Sequence, residues 1–285
     1  MHPRLGALEA LRITDPARKV ATTRALFAHS AGSALPLVAV RTPGDESGVP
    51  GRPERPERVS AMTIGRRSPF LAEGRAALIH SICHIEFNAI NLALDAVWRY
   101  DGMPEAYYRD WLRVADEEAQ HFDMLHAHLQ TMGFHYGDFV GHDGLWAMCE
   151  RTRDDVLARM ALVPRTLEAR GLDATPLIQA KLRRVNTPDA LRAIDILDVI
   201  LRDEVGHVAI GNHWYRWLCE REGFDPIAHY RVLYRRHEAP RLKAPFNLEA
   251  RARAGFTEQE LEALTQDDDR DPRPSPRVAA SVSPT

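Results

Sequence analysis

The chain has 285 residues, of which 45% are hydrophobic and 27% charged, and a formal net charge of −3. That length buries a sizeable core and that balance is ordinary for a globular protein, which excludes a fibrous or low-complexity chain. The slight negative charge argues against nucleic acid or an anionic membrane surface as an obligatory partner.

The N-terminal stretch "MHPRLGALEALRITDPARKV" alternates polar and apolar residues and lacks the unbroken apolar core of a signal peptide. No apolar run approaches the length of a membrane span, so no membrane association is expected. The three cysteines, Cys83, Cys149 and Cys219, lie far apart and form no C-x-x-C pair. Small buried hydrophobes in a reducing cytoplasm fit them best.

In chain order, residues 5–30 are mostly helical, with Asp15 before Pro16 as an N-cap and first-turn pair. From 31 to 67 the composition changes. The run "TPGDESGVPGRPERPERV" is rich in Pro, Gly and charge and reads as an extended arm, and "LPLVAV" at 35–40 is the strand-like exception. Four long helical patterns follow. The first opens with Ser68 as N-cap and Pro69 at the first helical position, and its apolar stripe runs Ile79, Ile82, Ala89, Ala93, Val97 with Glu86 on it. "DGMP" at 101–104 separates it from the second, 104–132, whose stripe of Trp111, Ala115, Phe122, Leu125 and Leu129 contains Glu118 and His121.

The third pattern runs 144–170 through Leu157, Met160, Val163 and Leu167, with Gly171 as its stop and Pro164 as a kink or bulge. The fourth starts at Thr187 and Pro188 and runs to 222 through Leu191, Ile194, Leu197, Leu201, Val208, Gly211, Trp214 and Leu218. Glu204 and His207 lie on its apolar face. "APFNLEARARAGFTEQELEALT" forms one or two short helices, and the charged, Pro- and Ser-rich tail after it should be disordered. The expected architecture is all-α: a helix and arm over 1–67, a four-helix bundle over 68–222, a helical extension over 223–265 and a tail over 266–285.

Two stretches carry the chemistry. "ADEEAQHFD" at 115–123 and "LRDEVGHVA" at 201–209 each hold a Glu and a His three apart. With 19 Glu and 13 His in 285 residues, about one such E-x-x-H match arises by chance. The count alone is weak, and the placement decides. Residues three apart on a helix project from nearly the same face. Two such helices, plus one Glu from each of two others, enclose two metal ions, as in the di-iron carboxylate bundles. The lone Glu residues are present: Glu86 precedes Glu118 by 32 residues and Glu168 precedes Glu204 by 36, as in a duplicated hairpin. Glu150 is the rival in the third helix, but it precedes Glu204 by 54 and breaks the symmetry.

Carboxylates are rarely buried without partners, because desolvating a charge costs several kcal/mol. A single core-facing Glu could pair with an arginine; Glu86, Glu118 and Glu204 together with two His are better explained by cations between the helices. Glu117 and Asp203, each one residue before a motif Glu, are candidates to accept a hydrogen bond from a ligand His, with solvent exposure as the alternative. Trp111 and Trp214 lie two turns from Glu118 and His207 and read as core packing, and His84 points away from Glu86.

"HIEFNAINLALDAVWRY", "YYRDWLRVADEEAQHF", "LEARGLDATP" and "ILRDEVGHVAIGNHWY", flanked by "GRPERPERV" and "APFNLEARARAGF", resemble an uncharacterised family of bacterial ferritin-like proteins related to the di-iron tRNA-modifying hydroxylases. The resemblance spans roughly residues 50–265. It implies a four-helix ferritin-like fold holding two metal ions through Glu86, Glu118, His121, Glu168, Glu204 and His207. It supplies no substrate.

Three functions compete. The first is an O2-activating oxidoreductase with two iron ions, or manganese and iron, acting with a small-molecule substrate or O2 and an electron-donor protein, as a monomer or homodimer. The second is ferroxidase or storage, against which the long segments outside the bundle argue. The third is a metal-free helical scaffold or binding protein. A nucleic-acid-directed variant of the first needs a basic face, for which "RVLYRRHEAPRLK" at 231–243 and "KLRR" at 181–184 are candidates, but the negative net charge disfavours it.

Overall fold

The computed structural model describes residues 2–32, 34–37, 46, 48–65 and 67–270. Among these residues the regular structure is helical, and no strand is formed. Helices α1 (Pro3–Arg12) and α2 (Pro16–Ala31) open the chain. Asp15 caps α2 by accepting from the Arg18 N–H at 2.8 Å, as its place before Pro16 leads one to expect. The strand-like stretch at 35–40 forms no strand at 35–37, and 38–40 lie outside the described residues.

Helix α3 spans Ala72–Arg99 and α4 spans Glu105–Thr131. The expected start of α3 at Ser68 is corrected: Leu71 is the cap, and residues 68–71 form a turn closed by the Leu71 N–H on the Ser68 carbonyl at 3.2 Å. That turn folds over Gly74, where a Cβ would sit 1.9 Å from the Ser68 oxygen. The third pattern is the larger correction. It divides into α5 (Gly144–Arg151), α6 (Val156–Leu162), a π-helical segment over Val163–Glu168, and α7 (Ala169–Val185). Pro164 marks a bulge, since it lacks the N–H an α-turn needs and its ring crowds the carbonyl four residues back. Gly171 is not a stop. The helix runs through it and through Pro176, and ends where Asn186 adopts the left-handed conformation, φ 55°.

Helix α8 (Pro188–Glu222) begins and ends where the sequence places it, with Thr187 at its start and Gly223 at φ 75° beyond its end. Leu191, expected on its buried stripe, is exposed. The C-terminal extension holds α9 (Pro226–Arg236), unforeseen as a separate helix, then α10 (Leu248–Arg253) and α11 (Glu258–Arg270). Helix α11 runs five residues into the stretch expected as a disordered tail, 266–285, and the other fifteen lie outside the described residues.

Four long segments build the core: α3 packs along α4, α7 along α8, and α4 and α6 against α8. Their apolar stripes meet in one cluster that includes Ile79, Ala93, Trp111, Phe122, Met160, Leu197 and Trp214. Helices α1 and α2 pack on the outside of α3 and α4. There Lys19, fully buried, donates to the carbonyls of Leu11 and Gly51 and to the Asn91 side chain, tying both helices and the arm to α3. By length and composition α3 is apolar enough to cross a membrane, contrary to the sequence expectation, but 72% of its most apolar window is buried inside the protein.

Candidate metal centre

The helical period puts Glu86 on α3, Glu118 and His121 on α4, and Glu204 and His207 on α8 toward a common interior, and all five are buried. Ligand atoms of Glu86, Glu118, His121 and Glu204 lie within 4.8 Å of one another, a group that could hold a metal ion. Glu118 occupies the middle. Its Oε2 is 3.3 Å from His121 Nδ1 and its Oε1 is 2.9 Å from His207 Nδ1. Glu86 Oε2 lies 3.6 Å from the first ring nitrogen and Glu204 Oε1 lies 3.6 Å from the second. Each half of the chain thus contributes a carboxylate and an imidazole to one side of a shared carboxylate.

The outer nitrogens are tied crosswise. His121 Nε2 meets Asp203 Oδ2 of α8 at 3.2 Å, and His207 Nε2 meets Glu117 Oε2 of α4 at 2.7 Å. The acid preceding one motif therefore holds the histidine of the other. With Nε2 carrying the proton for its acid, Nδ1 is left to present a lone pair inward.

Glu168, the last residue of the π segment, is buried and lies within electrostatic reach of Glu204, Glu118 and Glu86. Neither of its oxygens has a hydrogen-bond partner. The rival Glu150 is on the surface of α5, bonded to the Trp146 indole at 2.7 Å. His84 is also elsewhere, hydrogen-bonded to the Tyr136 hydroxyl at 2.8 Å. Trp214 donates to Asp110 and Trp111 packs fully buried beside Tyr107.

The donor set fits cations. Glu86 Oε2, Glu204 Oε2 and both Glu168 oxygens are buried without hydrogen-bond partners, and His207 Nδ1 approaches Glu118 Oε1 without the alignment of a hydrogen bond. Unpaired buried carboxylates cost several kcal/mol each. Four ionised carboxylates around two neutral imidazoles leave four negative charges, which two divalent cations balance. Without cations, protons do this work. Burial and the charge of Glu118 push the Glu86 carboxyl up to about 8. Burial, then Glu204 and Glu118, push Glu168 well above the carboxylate range. Burial opposes charge on His121 and His207, but their carboxylate partners outweigh it and raise both. Burial and Glu204 likewise push against Glu118, and the two histidines hold it low.

Around the π segment lies a set of residues that the sequence reading passed over: Arg165, Asn212, Tyr230 and Glu260. Periodicity carries no signal for them, because Arg165 and Glu260 are 95 positions apart. Residues 51–59 of the arm lie against the end of α1, the middle of α3 around His84, Phe87 and Asn88, and the 141–143 turn, with Arg52 and Arg58 on Asp143.

The chain is 48% identical over 217 residues to an uncharacterised protein of Haemophilus influenzae, covering 74% of each chain. No solved structure matches it. Residues 12–262 match a family described as protein of unknown function (DUF455). The chain belongs to that DUF455 family.

Proposed function

We propose that α3, α4, the α6–α7 segment and α8 form a ferritin-like four-helix bundle around a dinuclear metal centre, and that the protein is an O2-activating oxidoreductase. The observation that carries this reading is Glu118, set between two histidine Nδ1 atoms whose far nitrogens are each held by an acid from the opposite helix. One metal would take Glu86 and His121, the other Glu168 and His207, with Glu118 and Glu204 shared. Oxygen and imidazole donors in this ratio suit iron, with manganese as the alternative in one or both positions. Two bound iron ions, or a manganese–iron pair, would pass electrons to O2, which would in turn take electrons from a substrate, with the donor protein restoring the reduced metals.

The protein's part is to aim and to neutralise. Glu118 and Glu204 hold the two halves in register. Glu117 and Asp203 keep a proton at Nε2 of each histidine, fixing the ring so that Nδ1 faces inward. Their side chains are 33% and 20% exposed, so each links a buried imidazole to solvent. The reading carries with it a small-molecule substrate, an electron-donor protein and a cytoplasmic setting.

Metal content measured by mass spectrometry tests it, on protein purified without added metal or a nickel column, beside Glu204→Ala. About two iron or manganese ions per chain, lost in the variant, is the expected result. Ferrous iron should then drive O2 consumption that Glu118→Ala lacks. Metal below a few per cent, with no uptake of added ferrous iron, leaves a metal-free helical scaffold as the reading.

A further inference from the structure

The side chain of Glu168 makes no hydrogen bond, so only its backbone fixes where its carboxylate goes. That backbone is a π segment, a conformation rarely stable by itself. Its neighbours hold it at four successive points. The Pro164 ring presses on Gly211 of α8, at a spot where a Cβ would come within 2.5 Å. Arg165, almost fully buried, donates to Asn212 of α8 and, at 2.7 Å, to Glu260 of α11. Its guanidinium lies over the rings of Tyr215, Tyr230 and Phe256. Thr166 bonds the Ala161 carbonyl at 2.7 Å and the Tyr230 hydroxyl at 2.8 Å. Just beyond, the Ala169 carbonyl accepts from Arg251 of α10 at 3.3 Å.

Half of these partners, Tyr230, Arg251, Phe256 and Glu260, come from the C-terminal extension, outside the four-segment core. Glu260 is the hinge of the arrangement. One oxygen takes Arg165; the other takes Arg216 and the Thr257 N–H, each at 2.7 Å. A buried arginine with a single carboxylate partner is strongly dependent on it, because removing the partner leaves an uncompensated charge.

We propose that the C-terminal extension is a brace for the metal centre: Arg165, Glu260 and Tyr230 are positioning residues that hold the π segment so that Glu168 reaches the second metal. This rests on the dinuclear reading. The first metal is independent of the brace, because none of its ligands lies on the π segment: Glu86, Glu118, His121 and Glu204 come from α3, α4 and α8.

Cobalt(II) titration of the full chain tests this, following metal stoichiometry and the visible absorption of each equivalent, for wild type, Glu168→Gln, Glu260→Gln and Tyr230→Phe. Wild type should bind two ions and Glu168→Gln about one. Glu260→Gln should bind the first ion as wild type does and the second about tenfold or more weakly. Tyr230→Phe, which deletes a single hydroxyl and keeps the ring, should weaken the second ion several-fold and carries the test if Glu260→Gln fails to fold. A brace with a merely structural role would weaken both equivalents together or neither. Two ions bound by either folded variant with wild-type affinities overturn the brace while leaving the dinuclear centre standing. Wild-type protein that takes up no cobalt removes the metal reading, and the brace with it.

Discussion

Glu117 of α4 holds His207 of α8, Oε2 to Nε2 at 2.7 Å, and Asp203 of α8 returns the tie to His121 of α4 at 3.2 Å. Each histidine is therefore oriented by the helix it does not belong to, so the centre depends on the α4–α8 pairing. Removing such an outer partner typically costs a metal site about 10–100-fold in affinity. Glu117→Ala should do so for manganese(II), read by equilibrium dialysis, while Glu117→Gln, whose amide oxygen still accepts from Nε2, should lose much less. Equal affinity in Glu117→Ala and wild type would show that the tie does not orient a ligand.

Loading the centre should release protons. Glu86, pushed up to about 8 chiefly by burial, and Glu168, pushed well above the carboxylate range chiefly by burial, favour their protonated forms in the metal-free protein. His121 and His207 are raised as well. Metal requires all four in their deprotonated ligand forms, so protons compete with it and affinity rises with pH through the neutral range. Calorimetric titration with manganese(II) in two buffers of different ionisation enthalpy should give different heats, and their difference counts the protons. Identical heats would mean that the ligands are already free of protons.

Features set by neighbours in the chain were legible in the sequence. Asp15–Pro16 and Thr187–Pro188 mark helix starts because these signals are local, although only Asp15 caps through its side chain, and the positions of Glu86, Glu118, His121, Glu204 and His207 follow from helical period. Features set by distant partners were not. Ser68 looks like a cap, yet its carbonyl is folded over Gly74. Gly171 looks like a stop, but its own conformation is helical and Asn186 supplies the left-handed turn that ends α7. Glu117 and Asp203 were recognisable as partners for ligand histidines, but nothing in the spacing says that each serves the other helix. The bulge at Pro164 was foreseeable; the Arg165–Glu260 pair that holds it was not.

Two glycines on α8 form a matched test of the bulge. A Cβ at Gly211 would meet Pro164 Cβ at 2.5 Å and Cγ at 2.7 Å, while at Gly206 it would meet nothing within 4 Å. Alanine at an open helix position gains up to about 1 kcal/mol over glycine. Gly206→Ala should therefore stabilise the protein modestly. Gly211→Ala must push a rigid proline ring and the π segment away from α8, and overpacking of this kind costs about 1–3 kcal/mol. Urea unfolding of the two variants should move in opposite directions, and Gly211→Ala should also weaken the second cobalt equivalent. A stabilised Gly211→Ala would mean that the π segment yields freely.

Acid sensitivity should come in part from a second histidine cluster on α3. His80 is fully buried, stacked 5.4 Å from the Tyr136 ring and edge-on to Phe139 at 5.4 Å, and its Nε2 accepts the Gly137 N–H at 2.9 Å. Burial, and then the proximity of His84, lower its pKa to about 4, and burial lowers that of His84 to about 4 as well. In the unfolded chain both titrate near 6.5. Between those values the unfolded state binds protons that the folded state refuses. Stability is thus full above about pH 6.5 and is lost as pH falls toward 4, by up to about 3 kcal/mol for each depressed histidine. His80→Gln keeps a carbonyl oxygen to accept the Gly137 N–H but has no proton to gain. It should cost about 1–2 kcal/mol at pH 7.5 through lost ring packing. Its unfolding free energy should then fall less steeply than that of wild type between pH 6.5 and 4.5. Parallel curves for the two proteins would place the acid sensitivity elsewhere.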